Sequence, residues 1–303
     1  MLYCYRFVIY FFQKESMDFL CAATAGMLAR YISHPLDSIK TVAFTADTTV
    51  RHSFLAAANV INRREGYKGF YRGVGVAVLG AAPGTATYVI AYEQCKAVLD
   101  VYCSPVFSSF MSGFVAEACS CVFWVPIDVT KERLQQQAPA VAGRYQSSFH
   151  AITTILREEK LRGLYKGYFA TLGSFGPFSA VFFTFYEIFS QFLIQYNLNS
   201  FYHNLIAAFA GNLIASISTN PLELVKTRIQ VQSPVLRVHG ERVVTNVASY
   251  HYKTFMDGFR SIVRDEGFLG LWRGTGARCA YAAPNSALTF AFYQSLKKLS
   301  VAE

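Results

Sequence analysis

Three short stretches of this chain place an acid and a base three residues apart behind a proline. They are Pro35-Leu36-Asp37-Ser38-Ile39-Lys40, Pro126-Ile127-Asp128-Val129-Thr130-Lys131-Glu132-Arg133 and Pro221-Leu222-Glu223-Leu224-Val225-Lys226-Thr227-Arg228, with prolines 91 and 95 residues apart. An acid at proline +2 and a base at proline +5 share one face of a helix. The second octet follows an apolar run, Gly113 to Val125, that reads as half of a membrane-crossing helix. Ionisable side chains inside a span are costly; they face a bundle interior or a water-filled cavity, paired with one another. The chemistry these residues suit is reversible ion pairing. The plainer alternative, three unrelated charge clusters at a membrane edge, does not explain why both signs recur in register. The sequence does not read as an enzyme: it shows no His/Ser/Asp grouping, no phosphate loop and no metal-ligand spacing such as CxxC.

A second signature follows each octet at a distance. It reads Glu65-Gly66-Tyr67-Lys68-Gly69-Phe70-Tyr71-Arg72-Gly73, then Glu159-Lys160 with Leu164-Tyr165-Lys166-Gly167, then Glu266-Gly267 with Leu271-Trp272-Arg273-Gly274. Paired signatures recurring in fixed order identify an internal repeat. A span needs about 20 apolar residues, and six candidates fit, near 17–43, 74–98, 106–135, 168–194, 201–230 and 275–299. Their Gly, Pro, Ser and Thr interruptions are tolerated where neighbours or a hydrated cavity satisfy the freed backbone. The amphipathic connectors 51–64, 146–159 and 253–266 suit the membrane surface. The expected organisation is an N-terminal tail over 1–16, interfacial or unstructured, followed by repeats at 17–100, 106–196 and 201–300. The stretch 233–250 is expected to be a flexible loop.

The composition agrees with helices that have one lipid face and one polar face. The chain is 53% apolar and 16% charged, with a mean hydropathy of +0.26, and carries 27 Phe and 19 Tyr among 303 residues. Aromatic residues gather at lipid interfaces. The net charge of +9 sits in short segments between apolar runs, so anionic headgroups and topology explain it better than nucleic acid does. Residues 51–73 hold five bases against one acid, a distribution that fixes the side on which the connector stays. Seven cysteines without paired spacing argue against a secreted disulfide framework, and Cys119, Cys121 and Cys279 read as small buried apolar groups.

The pattern P-x-[DE]-x-x-[KR]-x-[KR], followed by [DE]-G-x-x-x-x-[aromatic]-[KR]-G and repeated three times over residues 17–300, resembles the mitochondrial carrier family. The resemblance implies an all-α membrane protein: six transmembrane helices in three pseudo-symmetric repeats around a central cavity, each repeat with a short surface helix. It implies a monomeric transporter in the mitochondrial inner membrane that works by alternating access, an antiporter in many members. It further implies a matrix gate pairing Asp37 with Lys131, Asp128 with Lys226 and Glu223 with Lys40. A glutamine at proline +9 braces each pair in the family. Gln135 and Gln230 hold two such positions and Phe44 the third, while Val42 replaces the base at proline +7 in the first repeat.

An opposing cytoplasmic gate is implied near the ends of the even spans, as [FY]-[DE]-x-x-[KR]. Tyr92-Glu93-…-Lys96 is complete; Tyr186-Glu187-…-Ser190 lacks the base and Tyr293-Gln294-…-Lys297 lacks the acid. The weaker outer set predicts that the outward-open state dominates. Backbone N–H groups at the starts of the even spans can hold phosphates. There the resemblance implies cardiolipin at Arg72-Gly73, Lys166-Gly167 and Arg273-Gly274. Small residues at proline −13 and −9 are Ala22 and Gly26, Ala208 and Asn212, but Gly113 and Glu117 in the second repeat. Glu117 either bonds across a helix seam or faces the cavity to take a cation or a proton.

Family substrate contacts lie about one turn before a proline on each even span, here within Gly80-Ala81-Ala82-Pro83, Ser174-Phe175-Gly176-Pro177 and Tyr281-Ala282-Ala283-Pro284. No arginine stands there, which disfavours di- and tricarboxylates. Arg30 is the leading cationic candidate and Arg278 either a contact or a structural residue; Tyr88 and Tyr281 suit a flat ring. The strings around Pro83 and Pro284 are similar to the mitoferrin branch, and Glu117 with the small contacts is similar to S-adenosylmethionine carriers. The expected substrate is a medium-sized metabolite with an aromatic, nucleotide-like or S-adenosylmethionine-like part. The alternatives are a metal-ion (iron) carrier and a carrier-fold scaffold that transports nothing.

Overall fold

The computed structural model describes residues 2–45, 54–136, 145–196, 198–232, 236–238, 241–243 and 252–302. Six long stretches of helix form the bundle: α1 (Leu2–Thr45), α3 (Val74–Leu99), α4 (Pro105–Gln136), α6 (Tyr168–Ile194), the pair α7 (Ser200–Ser218) and α8 (Asn220–Val231), and α10 (Thr275–Ala302). Between them lie the shorter α2 (Phe54–Glu65), α5 (Ser148–Leu164) and α9 (Phe255–Glu266). Among the described residues helix, with one exception, accounts for the regular structure. The exception is a small hairpin in the connector expected to be a flexible loop. There β1 (Leu236–Val238) pairs antiparallel with β2 (Glu241–Val243), Leu236 opposite Val243. The alternation Leu-Arg-Val against Glu-Arg-Val supplies the period of two a ribbon needs; the remainder of 233–251 lies outside the described residues.

The short helices dock alike. Each buries an apolar pair four residues apart: Ala57 and Ile61 against Ile39 and Val42, Ala151 and Ile155 against Val125 and Val129, and Gly258 and Ile262 against Leu224 and Val225. Spacing of four puts the pair on one helical stripe, and the stripe faces the end of the preceding proline-bearing helix. The same three-fold arrangement appears where even helices begin. Gly73, Gly167 and Gly274 precede α3, α6 and α10 with φ of 81°, 83° and 76°, a region that favours glycine. A Cβ on them would meet Lys131 Cα at 3.3 Å, Gln230 Cγ at 2.9 Å and Phe44 Cδ1 at 2.5 Å. Each repeat therefore presses its glycine on the next repeat in cyclic order.

The helix bounds differ from the expected segments at two places. The residues assigned to a tail continue α1, which starts at Leu2; the chain holds no glycine before Gly26 and no proline before Pro35 to break it. The fifth expected span is two helices, bent by 68° at Thr219, with Pro221 in the first turn of α8. Pro35 and Pro126, by contrast, lie within continuous α1 and α4. The carbonyls freed at the α7–α8 break are recovered: Arg278 Nη1 donates to Ser216 O at 3.0 Å and Trp272 Nε1 to Ile217 O at 3.1 Å.

By length and composition three helices suit a membrane on their own, Val74–Leu99, Phe107–Gln136 and Tyr168–Ile194, and the α7–α8 pair makes a fourth if counted as one span. α1 and α10 are long enough, but charges such as Arg30, Asp37, Lys40 and Arg278 lower their apolarity. The outward faces carry exposed Leu79, Ile90, Phe110, Phe183, Ile188 and Phe209. Apolar surface of that extent belongs against lipid.

Candidate functional site

The three octets meet at one end of the bundle. Lys40 Nζ of α1 lies 2.7 Å from Glu223 Oε1 of α8, Lys131 Nζ of α4 lies 3.0 Å from Asp37 Oδ2 of α1, and Lys226 Nζ of α8 lies 3.5 Å from Asp128 Oδ2 of α4. Each acid thus meets the base of the next repeat, in the same cyclic order as the glycines. The six side chains are largely buried, between 5% and 17% exposed, so water screens them little. Gln135 braces the first pair: its Nε2 donates to Ser38 Oγ at 3.1 Å and Asp37 Oδ2 at 3.5 Å, while Oε1 accepts from Thr41 Oγ1 at 2.8 Å.

Gln230 does otherwise. Its Nε2 reaches Thr171 Oγ1 at 3.5 Å, and its chain fills the space left by Gly167. It is therefore no brace to Asp128–Lys226, because a vacancy on α6 draws it away from the axis. At the third position the Phe44 ring takes over. Lys40 Nζ stands 5.6 Å from the Phe44 ring centre and 5.6 Å from that of Tyr281, within cation–π range. An aromatic at proline +9 was the available signal for this contact.

Behind the ring runs a second layer of charge. Arg133 holds both Glu159 oxygens, and its Nε donates to Gln230 O at 3.1 Å. Arg228 donates to Glu266 at 2.7 and 3.1 Å and, through Nε, to Phe44 O at 3.1 Å. Each guanidinium ties the last turn of a neighbouring proline-bearing helix to its own surface helix. Val42 removes this clamp from the first repeat, where Glu65 pairs with Arg72 instead. The residue before two of the three prolines also contributes: His34 Nε2 is bonded to Arg72 O at 2.9 Å, and Asn220 Nδ2 donates to Leu271 O at 2.9 Å. His34 is a joint between α1 and the start of α3.

A cavity of about 230 Å³ lies on the ring, with Lys40, Glu223 and Lys226 in its wall together with Glu117, Ser174, Phe175, Phe178, Arg278 and Tyr281. Arg278 is anchored: besides Ser216 O, its Nη2 donates to Thr219 Oγ1 at 3.0 Å. Glu117 faces this cavity, its Oε1 accepting from Cys121 Sγ at 3.5 Å. Its proline −9 position had left seam and cavity both open. Arg30 is held elsewhere, its guanidinium 4.3 Å from the Trp124 ring centre. Gly80 packs so closely on α4 that a Cβ would come 2.2 Å from Ile127 Cδ1. Tyr88 lines a neighbouring apolar hollow of about 430 Å³ that shares Phe175 with the cavity, and stacks on Tyr92.

At the other end, bonds run along helices and between α6 and α7. Lys96 Nζ lies 3.4 Å from Tyr92 Oη, Lys297 Nζ 3.3 Å from Tyr293 Oη, and Gln191 Nε2 donates to Glu187 Oε1 at 3.0 Å. Ser190 contributes its carbonyl to His203 Nε2 at 2.9 Å, and Tyr186 Oη donates to Asn204 Oδ1 at 3.3 Å. Glu93 and Gln294 sit on α3 and α10 at the same level in their repeats. The bases beside the three glycines are engaged too: Arg72 with Glu65, Arg273 Nη1 with Glu266 Oε2 at 3.0 Å, and Lys166 Nζ with Gln232 O at 3.1 Å. Burial, then the neighbouring Arg133, holds the Lys166 ammonium below its ordinary value.

Comparison with known proteins matches all three repeats. The sequence model described as "Mitochondrial carrier protein" fits residues 13–102, 103–197 and 198–303. "Mitochondrial substrate carrier family protein E" of Dictyostelium discoideum is 35% identical over 315 residues, covering 95% of this chain and 97% of the relative. "Mitochondrial thiamine pyrophosphate carrier 1" of Pyricularia oryzae is 29% identical, covering 91% and 90%. "Mitoferrin-1" of Mus musculus is 29% identical, covering 93% and 82%.

Proposed function

The chain belongs to the mitochondrial carrier family, and from that premise we propose that it moves a small metabolite across the mitochondrial inner membrane by alternating access. In this reading all six long stretches cross the bilayer, α7 and α8 together as one. Charged α1 and α10 are tolerated because their ionisable groups turn inward and pair. The three lysine–carboxylate pairs form the closed gate on the matrix side, and the end holding Tyr92, Tyr186 and Tyr293 is open. The observation that carries the reading is the ring of those pairs, one from each repeat junction, with Lys40, Glu223 and Lys226 in the wall of the adjoining cavity. Phosphates of cardiolipin are held at the starts of α3, α6 and α10, where N–H groups are unpaired by helix geometry.

The substrate is a metabolite with a flat ring and a positively charged group, S-adenosylmethionine-like rather than polyanionic. In the cavity wall Lys40 and Lys226 are answered by acids and Arg278 by Ser216 O and Thr219 Oγ1, whereas Glu117 is bonded by the Cys121 thiol and the Ser120 hydroxyl and is in no ion pair among the described residues. Phe175, Phe178 and Tyr281 supply apolar faces beside it. The test is uptake by liposomes carrying purified protein, with labelled S-adenosylmethionine, thiamine pyrophosphate, ATP, amino acids and iron(II) offered in turn. Uptake of an organic cation that falls at least tenfold in Glu117→Gln supports the assignment. Preference for ATP or iron(II) overturns the substrate class; no uptake or exchange of anything by folded protein overturns transport and leaves a scaffold.

A further inference from the structure

The ring's pairing leaves one acid over. Glu132 stands at proline +6 on α4, beside Lys131, where the other two repeats carry Thr41 and Thr227. It is 2% exposed, and its Oε2 has no hydrogen-bond partner. The charges that act on it are Lys131 and Asp128 of its own helix, Lys226 of α8 and Lys40 of α1. Each of those lysines already lies within 3.5 Å of another carboxylate, at Asp37, Asp128 or Glu223. The guanidiniums of Arg133 and Arg228 are committed as well, to Glu159 and Glu266. Among the described residues Glu132 is thus the one acid of this group that no ion pair answers, and it is almost fully buried. A carboxylate buried without a partner is strongly unfavourable, and the group avoids that state by taking a proton.

We propose that Glu132 is a proton-binding site of the closed ring. It takes a proton from the adjoining water as this end of the bundle closes, and it returns that proton to the same water when the end opens. Uptake and release occur on one side, so no proton crosses the membrane; alkalinity on that side favours opening. Had the position held threonine, as in the other repeats, the ring would balance without a proton. The sequence carried a signal for this, an extra acid next to Lys131 that repeats only once in three.

The opening and closing part of this proposal rests on the ring being a gate; the proton itself does not. Infrared difference spectra of full-length protein in detergent near neutral pH test the proton. A protonated-carboxyl band present in the parent and lost in Glu132→Gln and in Glu132→Thr is the expected result. Thermal unfolding gives the second readout. The native closed chain holds a proton at Glu132 that the unfolded chain gives up, so stability falls as pH rises above the ordinary glutamic acid range. That component of the slope disappears in both variants, which become the more stable proteins at the alkaline end. Unchanged spectra, an unchanged slope, or loss of stability in both variants at every pH overturns the proposal, the last because it marks an ionised, partnered carboxylate. Should the band behave as expected while charge exchange at the ring leaves its accessibility unaltered, the proton site stands and the gate reading fails.

Discussion

Lys131 lies 3.0 Å from Asp37 of the preceding repeat and 3.5 Å from Asp128 of its own helix, so one ammonium bridges two carboxylates where the three octets meet. Removing it leaves Asp37 buried without its base and Asp128 with Lys226 alone. Lys131→Ala is expected to cost about 3–5 kcal/mol, the usual penalty for breaking a buried pair. The exchange Asp37→Lys with Lys131→Asp restores part of that loss, though the new acid then faces Asp128. Unfolding of the two variants in detergent decides it; equal loss in the single and the exchanged protein would show that the pair does not act as a unit.

Arg278 bridges the break between α7 and α8 through Ser216 O and Thr219 Oγ1. Arg278→Ala leaves a freed carbonyl in a buried setting, and hydrogen bonds to a charged donor are worth about 1.5–3 kcal/mol. A drop of that size in stability is expected, with faster hydrogen exchange confined to 215–222. Normal protection there would assign the residue to substrate alone.

Lys160 sits at φ 59°, ψ −160°, inside α5, where the other repeats place Gly66 at φ 64° and Gly267 at φ 76°. A side chain in that region carries strain of about 1–3 kcal/mol. Lys160→Gly is therefore expected to raise stability by about 1 kcal/mol, discounted for the added freedom of the unfolded chain. A melting temperature that stays put or falls contradicts the strain argument.

Gly274 admits no side chain twice over: its φ is 76°, and a Cβ would meet the Phe44 ring at 2.5 Å. Gly274→Ala should destabilise by about 2 kcal/mol or more. Phe44→Ala in the same chain relieves the collision but not the backbone strain, so recovery is partial. Full recovery would mean the conformation is relaxed.

At the opposite end, Glu187, Ser190, Gln294 and Lys297 offer few complementary charges. Ser190→Lys with Gln294→Glu adds a base and an acid and is expected to close that end more often. Reactivity of a cysteine placed in the cavity at Ser174 should fall several-fold toward an impermeant maleimide. Unaltered reactivity rules the added charges out as a latch.

Which parts were legible in the sequence follows from where the signal lies. The octets at Pro35, Pro126 and Pro221 announce a threefold repeat because proline, acid and base recur at fixed offsets, and periodicity alone places acid and base on one helical face. Glu65, Glu159 and Glu266, and the glycines 73, 167 and 274, were readable for the same reason. Gln230 was misjudged because its spacing equals that of Gln135, while the hollow above Gly167 that captures it belongs to another repeat. The break at Thr219 was missed since Pro35 and Pro126 interrupt nothing; Asn220, Trp272 and Arg278 make the difference by accepting the cost of the freed backbone.

The order of residues by itself determined the repeat, the helices and the complementary charges, since those depend on neighbours within a turn or two. Tertiary packing decided which partners meet. It set Arg30 on Trp124, aimed Glu117 into the cavity, placed Phe44 under Lys40, and left Glu132 dry and unmatched. Those outcomes depend on the space and charge that one repeat offers the next, and distance along the chain carries no record of them.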